Sequence, residues 1–113
     1  MSRTLCSYVD PFIGVDGDAN CICGPFLPFS MARPGPDTVP PHPPNGYETG
    51  KPIAYFSQNH VSGTGGSGRY GNIGIMPFCG HPTTLPDAQM AQDESSMPGY
   101  YCVTLAASSC DVE

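Results

Sequence analysis

Apolar and polar positions alternate most cleanly along Tyr100-Tyr101-Cys102-Val103-Thr104-Leu105, which predicts a strand opened by the turn pair Pro98-Gly99. Ile53–Ser57, with Tyr55 and Phe56, predicts a second strand, and Ile73–Phe78, where Ile alternates with small residues before Pro77, a third. Leu5 to Ile13 alternates briefly and then meets Asp10-Pro11 and Gly14, so it reads as an edge strand or extended segment. Pro25 to Arg33 is apolar and punctuated by proline; Phe26, Leu27, Phe29 and Met31 suit a strand packed at a sheet margin. Pro34 to Pro44, with six prolines, reads as an extended loop, and Asn45-Gly46 as a turn before Tyr47. Thr83 to Ser96 is polar and fits either one helical turn or a short edge strand. Ala106–Cys110 reads as a hairpin link, with Asp111-Val112-Glu113 as the first residues of a partner strand.

These elements make a loop-rich, all-β chain, and composition agrees. In 113 residues, Gly and Pro number 14 each, and only 12% of residues are charged. Aromatics are spread throughout and no short repeat occurs, which favours a folded β structure over a disordered tail. The length allows one domain or a piece of one. A strand that starts near the last residue and is not completed leaves an unpaired edge, and reads as a fragment.

The net charge of −6, with Arg3, Arg33, Lys51 and Arg69 as the fixed positives, argues against a nucleic-acid surface and against anionic membrane. No apolar run approaches the ~20 residues of a membrane span. The first residues lack the apolar core of a secretion signal, so as written the chain reads as cytoplasmic or as having lost its signal. Six cysteines, at 6, 21, 23, 79, 102 and 110, permit a disulfide framework; without a signal, free buried thiols are the default.

The richest stretch chemically is 56–71, FSQNHVSGTGGSGRYG. Its aromatic lead-in and His60-bearing turn run into a glycine-dense loop that lets backbone approach a ligand closely. Residues 63–68 match G-x-G-x-x-G, but the run that follows reads as a strand, whereas a dinucleotide site needs a helix N-terminus there. The loop at Asp16, Asp18 and Asn20 begins like an EF-hand, yet Cys21 and Leu27 stand where Gly and Glu belong. Cys21-x-Cys23 and Cys79-x-His81 offer a zinc ligand set, but C-x-C is tighter than structural zinc spacing. No Gly-x-Ser-x-Gly elbow occurs. His60 suits either a hydrogen-bonded loop histidine or a ligand donor in a glycine-lined pocket. Asp16, Asp18, Asp37 and Glu48 offer hydroxyl-binding carboxylates, and Tyr8, Tyr47, Tyr55 and Tyr70 offer stacking faces.

The order of motifs adds more. Val9-Asp10-Pro11-Phe12-Ile13-Gly14 is followed by Pro28-Phe29-Ser30-Met31, Gly35-Pro36-Asp37-Thr38 and Asn45-Gly46-Tyr47. Then come Phe56-Ser57-x-x-His60-Val61-Ser62-Gly63-Thr64-Gly65, Tyr70-Gly71-Asn72-Ile73, Met76-Pro77 and Pro98-Gly99-Tyr100-Tyr101. From about Tyr8 to Glu113 this series resembles the amino-terminal domain of glycoside hydrolase family 92, the exo-acting α-mannosidases, many of them α-1,2-specific.

The resemblance implies a partial β-sandwich of the galactose-mutarotase-like supersandwich type, occupying 1–113 and truncated within its sheet. It implies packing against an (α/α)6 catalytic barrel absent from this chain, and calcium-dependent hydrolysis of mannose-containing glycans with inversion. Inversion needs an acid and a base about 6.5–9.5 Å apart, with room for a water. The family's acid, base and calcium ligands belong mainly to the barrel, so no catalytic or metal residue carries over, and the chain alone is expected to be inactive. The resemblance places Asp16, Asn20, His60, Ser62, Gly63, Thr64 and Gly65 at the substrate-facing rim. Members are often secreted or periplasmic. The chain departs from the pattern in having Gln58-Asn59-His60 where many have His-Thr-His, and Cys21-Ile22-Cys23-Gly24-Pro25 where many have Phe-Pro-Gly. A stand-alone carbohydrate-binding β module and a small zinc- or disulfide-stapled domain are the alternatives. A sandwich cut partway cannot bury both inner faces, so marginal folding or association through exposed edges is expected.

Overall fold

A computed structural model describes residues 4–17, 21–39, 46–60, 73–81, 83–84 and 86–113. After one 3-10 turn at Leu5–Tyr8 come six strands: β1 (Gly35–Thr38), β2 (Ile53–Ser57), β3 (Gly74–Ile75), β4 (Ala91–Met97), β5 (Tyr100–Leu105) and β6 (Cys110–Val112). They form two three-stranded antiparallel sheets, β1-β2-β3 and β4-β5-β6.

The predicted strands at 53–57 and 100–105 form as read. In β5, Tyr101, Val103 and Leu105 are buried while the residues between them are less so, as a two-residue period requires. Pro98-Gly99 joins β4 to β5, with Gly99 at φ 82° supplying the positive φ the turn needs. The two sheets share one core. Ile53 of β2 joins Tyr101, Val103 and Leu105 of β5, with Val15, Cys23 and Tyr47 from the loops. Phe56 meets Tyr101 edge to face at 6.3 Å between ring centroids. Backbone bonds Ile53 N–H to Gln89 O (2.7 Å) and Gln89 N–H to Ile53 O (2.8 Å) tie the start of β2 to the residues entering β4.

Several segments differ from the sequence reading or narrow it; the strand read over Ile73–Phe78 is only Gly74–Ile75. Leu5–Tyr8 is a 3-10 turn because the Ser7 hydroxyl and amide both donate to Thr4 O. The 34–44 loop contains β1, whose Pro36 is tolerated because β1 lies at a sheet edge. That edge is covered: a Cβ on Gly35 would sit 2.6 Å from Cys23 O, and Thr38 N–H donates to Gly46 O. Of the two readings of the polar 83–96 stretch, the edge strand forms: the stretch contains most of β4, which pairs with β5 at the sheet edge despite having few apolar residues. The apolar 25–33 stretch is not a strand. It turns at Leu27–Ser30, where Ser30 N–H donates to Leu27 O and Leu27 N–H to Ser30 Oγ. Phe29 and Met31 are fully exposed, whereas Phe26 is half-buried and Leu27 lies 3.5 Å from the Cβ position of Gly99 in the β4–β5 turn.

Pro28 followed by Phe29 at φ 71° follows the type II turn pattern, with a bulky residue where glycine belongs. The strain of such a residue at positive φ is on the order of 1–2 kcal/mol. Phe29→Gly is therefore expected to raise unfolding stability by about 0.5–1 kcal/mol after the entropy of glycine is deducted. An unchanged or lower urea midpoint would contradict the strain.

Candidate functional site

The loop after Gly14 is pinched at its neck by the bond from Cys21 N–H to Gly14 O, 3.1 Å. Val15 inserts into the core and Asp16 projects to solvent, while Gly14 and Gly17 take φ 77° and 59°. Beside this loop lies a groove of about 470 Å³, walled by Val9, Pro11, Ile13, Ile22, Phe26, Leu27 and Phe29, with Asp10 and Arg33 among its polar groups. The Asp10 carboxylate accepts from Phe12 N–H at 2.9 Å, which fixes the turn that presents Ile13. Leu5, Tyr8, Val9 and Ile13 extend the exposed apolar surface. Phe29, on the strained turn, adds the most exposed side chain of the groove wall.

His60 stands at the head of the glycine-dense stretch and is buried, 8% exposed. Arg33 pairs with Asn59 across a parallel bridge, and the Arg33 carbonyl accepts from both the His60 backbone N–H (3.2 Å) and Nδ1 (2.9 Å). Nε2 faces Asp37 Oδ1 at 3.1 Å. A carbonyl and a carboxylate both accept, so the doubly protonated ring satisfies both contacts. Burial alone would lower the His60 pKa; the hydrogen bond and charge of Asp37, with the Arg33 carbonyl, outweigh it and raise the pKa above 6.5. Asp37 is itself buried, and its Oδ2 has no hydrogen-bond partner among the described residues. Gly46 makes room for the pair: a Cβ there would lie 2.5 Å from Asp37 Oδ1.

Ser57 Oγ also lies 3.3 Å from His60 Nε2. The composition suggests a nucleophile triad, but the geometry does not make one. Serine and carboxylate approach the same nitrogen, whereas a relay needs them on opposite ones. The cluster is a structural latch joining β1, β2 and the 58–60 turn.

A second polar cluster lies between the sheets. The register of β4 against β5 slips between Gln92 and Ser95, with Asp93 at φ 49°. Next to this bulge, the Glu94 carboxylate accepts from Tyr47 Oη at 2.9 Å and Tyr101 Oη at 2.6 Å. Burial first, and then the charge of Glu94, push the Cys23 thiol up; burial and Glu94 also raise the Tyr47 and Tyr101 phenols. The phenols remain donors at any working pH, and Cys23 remains an unreactive thiol.

Of the residues the sequence pointed to, Asp16 is an exposed loop tip and His60 a buried latch. Asn20, Ser62, Gly63, Thr64 and Gly65 lie outside the described residues, as do Asp18, Tyr70 and the G-x-G-x-x-G match. Asp37 and Tyr47, read as possible sugar-binding groups, are committed to internal partners, and Glu48 pairs with Lys51. The six cysteines are free; Cys23 is buried, Cys102 and Cys110 are half-buried, and Cys6, Cys21 and Cys79 are exposed. Among the described residues no three His, Cys, Asp or Glu side chains converge, so none of them is assigned to zinc or calcium.

An all-β domain of two facing antiparallel sheets, with an apolar groove and a buried histidine latch along one side, is the class these features define. The family model described as the glycosyl hydrolase family 92 N-terminal domain matches residues 8–113, and the chain belongs to that family. It is 26% identical over 109 residues to an uncharacterized secreted glycosidase of Arthroderma benhamiae, covering 87% of this chain and 14% of that protein. A solved family GH92 α-mannosidase from Bacteroides thetaiotaomicron superposes with a TM-score of 0.83 at 28% identity, over 96% of this chain and 16% of the enzyme. The same enzyme in complex with mannoimidazole gives 0.82 at 29% identity, with the same coverage. The chain thus spans well under a fifth of the length of these relatives.

Proposed function

We propose that this chain is the amino-terminal sandwich portion of a longer exo-α-mannosidase, and that it forms one wall of the substrate pocket against a helical catalytic domain. The observation that carries the reading is the TM-score of 0.83 over 96% of the chain to an α-mannosidase. The exposed apolar surface at Leu5, Ile13, Leu27, Phe29 and Met31 supports it, because such a face needs a cover. In this reading Asp16 and Asn20 from one loop, and Ser62, Gly63, Thr64 and Gly65 from the other, approach the mannoside. His60, with both ring nitrogens engaged, holds the second loop's root and does not itself touch the sugar.

The acid and base of hydrolysis, and the calcium of the family, belong in this reading to the catalytic domain. The reaction proceeds with inversion on α-1,2-linked mannosides. The test is to follow mannose release from α-1,2-mannobiose by proton NMR, using the protein that contains this chain and its catalytic domain. β-Mannose is expected as the first product, and a calcium chelator is expected to abolish turnover. First release of α-mannose would overturn inversion, and full activity in chelator would overturn the calcium requirement.

A further inference from the structure

We propose that His60 is a two-state proton switch. Charged, its ring is tied through Nε2 to Asp37 of β1; neutral, it keeps its proton on Nδ1 and takes the Ser57 hydroxyl of β2 at Nε2 instead.

The contacts around the ring define both states. Nδ1 lies 2.9 Å from the Arg33 carbonyl, which accepts at every pH, so Nδ1 carries a proton in either state. Nε2 is the nitrogen that changes. It has two neighbours, Asp37 Oδ1 at 3.1 Å and Ser57 Oγ at 3.3 Å. A carboxylate only accepts, so it needs a proton on Nε2. A hydroxyl also donates, so it serves Nε2 once that proton has gone to solvent. Rotation of the hydroxyl hydrogen is enough to make the second bond, and no backbone has to move.

The surroundings leave few other influences. The Cβ positions of Gly35 and Gly46 lie 3.7 Å from Cε1 and 3.4 Å from Nε2, so backbone closes those sides of the ring. Tyr55, opposite Asp37 in the β1–β2 ladder, keeps its phenol proton, held by burial first and then by the Asp37 charge. Among the described residues, Asp37 is the charged group against the ring. Burial opposes the charged ring, and Asp37 with the Arg33 carbonyl outweighs it, which places the exchange above pH 6.5.

Loss of the Nε2 proton turns a bare lone pair toward a buried carboxylate whose Oδ2 already has no hydrogen-bond partner among the described residues. The attraction to Asp37 becomes repulsion, and Ser57 takes its place. The bond from His60 N–H to Arg33 O and the Arg33–Asn59 bridge do not titrate, so the turn keeps its place while the side-chain tie to Asp37 is lost. The tie is made on the acid side and broken on the alkaline side.

The test is nitrogen NMR of the 113-residue chain with isotope-labelled histidine, in a His42→Gln/His81→Gln variant that leaves His60 as the one histidine. From pH 5 upward, both ring nitrogens should start protonated, and Nε2 alone should lose its proton, with a midpoint above 6.5. Ser57→Ala should raise that midpoint by about 0.5–1 pH unit, since it removes the partner of the neutral ring. Asp37→Asn should lower it. A midpoint below 6.5, or one that Asp37→Asn does not lower, would overturn the tie to Asp37. A neutral ring protonated on Nε2, a ring that stays charged until the chain unfolds, or a midpoint that Ser57→Ala leaves unchanged or lowers would overturn the exchange with Ser57. The tautomer and the midpoint are read with Ser57 and Asp37 in place, so they decide the matter even if either substitution prevents folding.

Discussion

Asp37→Ala is expected to cost the domain about 3–5 kcal/mol, the range for removing one partner of a buried ion pair. The loss comes from what is left behind. His60 keeps its Arg33 carbonyl and the Ser57 hydroxyl near Nε2, but loses the carboxylate 3.1 Å away that balances its charge, inside a site nearly closed to water. Chemical denaturation followed by circular dichroism measures this. Asp37→Asn, which keeps an oxygen acceptor without the charge, is expected to lose less.

The pH dependence follows with a definite sign. The folded pKa of His60 lies above its unfolded value of 6.5. Its contribution is therefore fully present below about pH 6.5 and is lost as pH rises through the folded pKa. In the Asp37→Ala variant burial becomes the main influence, and the sign should reverse, with this histidine destabilising the fold as pH falls. Melts of both proteins from pH 5 to 9 check this. Parallel pH slopes for wild type and variant would contradict the latch.

Glu94→Ala is expected to cost about 2–6 kcal/mol, because it strands two buried phenols at roughly 1–3 kcal/mol each. Tyr47 and Tyr101 both donate to this carboxylate, and both are held as protonated donors by burial and by Glu94. Tyr101→Phe should cost much less: it removes a donor, and Glu94, which is only half-buried, still has Tyr47 and solvent. Urea midpoints for the two variants decide the matter, and equal losses would contradict this account of the cluster.

Sequence pattern exposed the elements that bury one face of a regular strand. β5 was legible because Tyr101, Val103 and Leu105 alternate inward, and its turn because Pro98-Gly99 supplies the backbone angles. β4 was not legible, since AQDESSM is polar and a bulge interrupts its alternation. β1 was hidden because GPDT is a turn composition, buried only where Cys23 and Gly46 cover it. The 25–33 stretch misled in the opposite direction: it turns at Leu27–Ser30 and leaves Phe29 and Met31 facing outward.

At the candidate site, motif order pointed to the loop after Gly14 and to the stretch that begins at His60, and of those residues the structure describes Asp16 and His60. The partnership of His60 with Asp37, 23 positions apart, was not legible, because no local spacing encodes it. Glu94 likewise gave no signal, since its importance lies in two tyrosines that the fold brings to it.

In the proposed function this chain supplies a wall of a mannosidase pocket and not the catalytic groups. The most direct measurement compares mannose release from α-1,2-mannobiose by the 113-residue chain alone and by the protein in which it is followed by the catalytic domain. Turnover is expected from the longer protein and none from the chain. Mannose released by the isolated chain, or a longer protein that leaves α-mannosides intact, would contradict it.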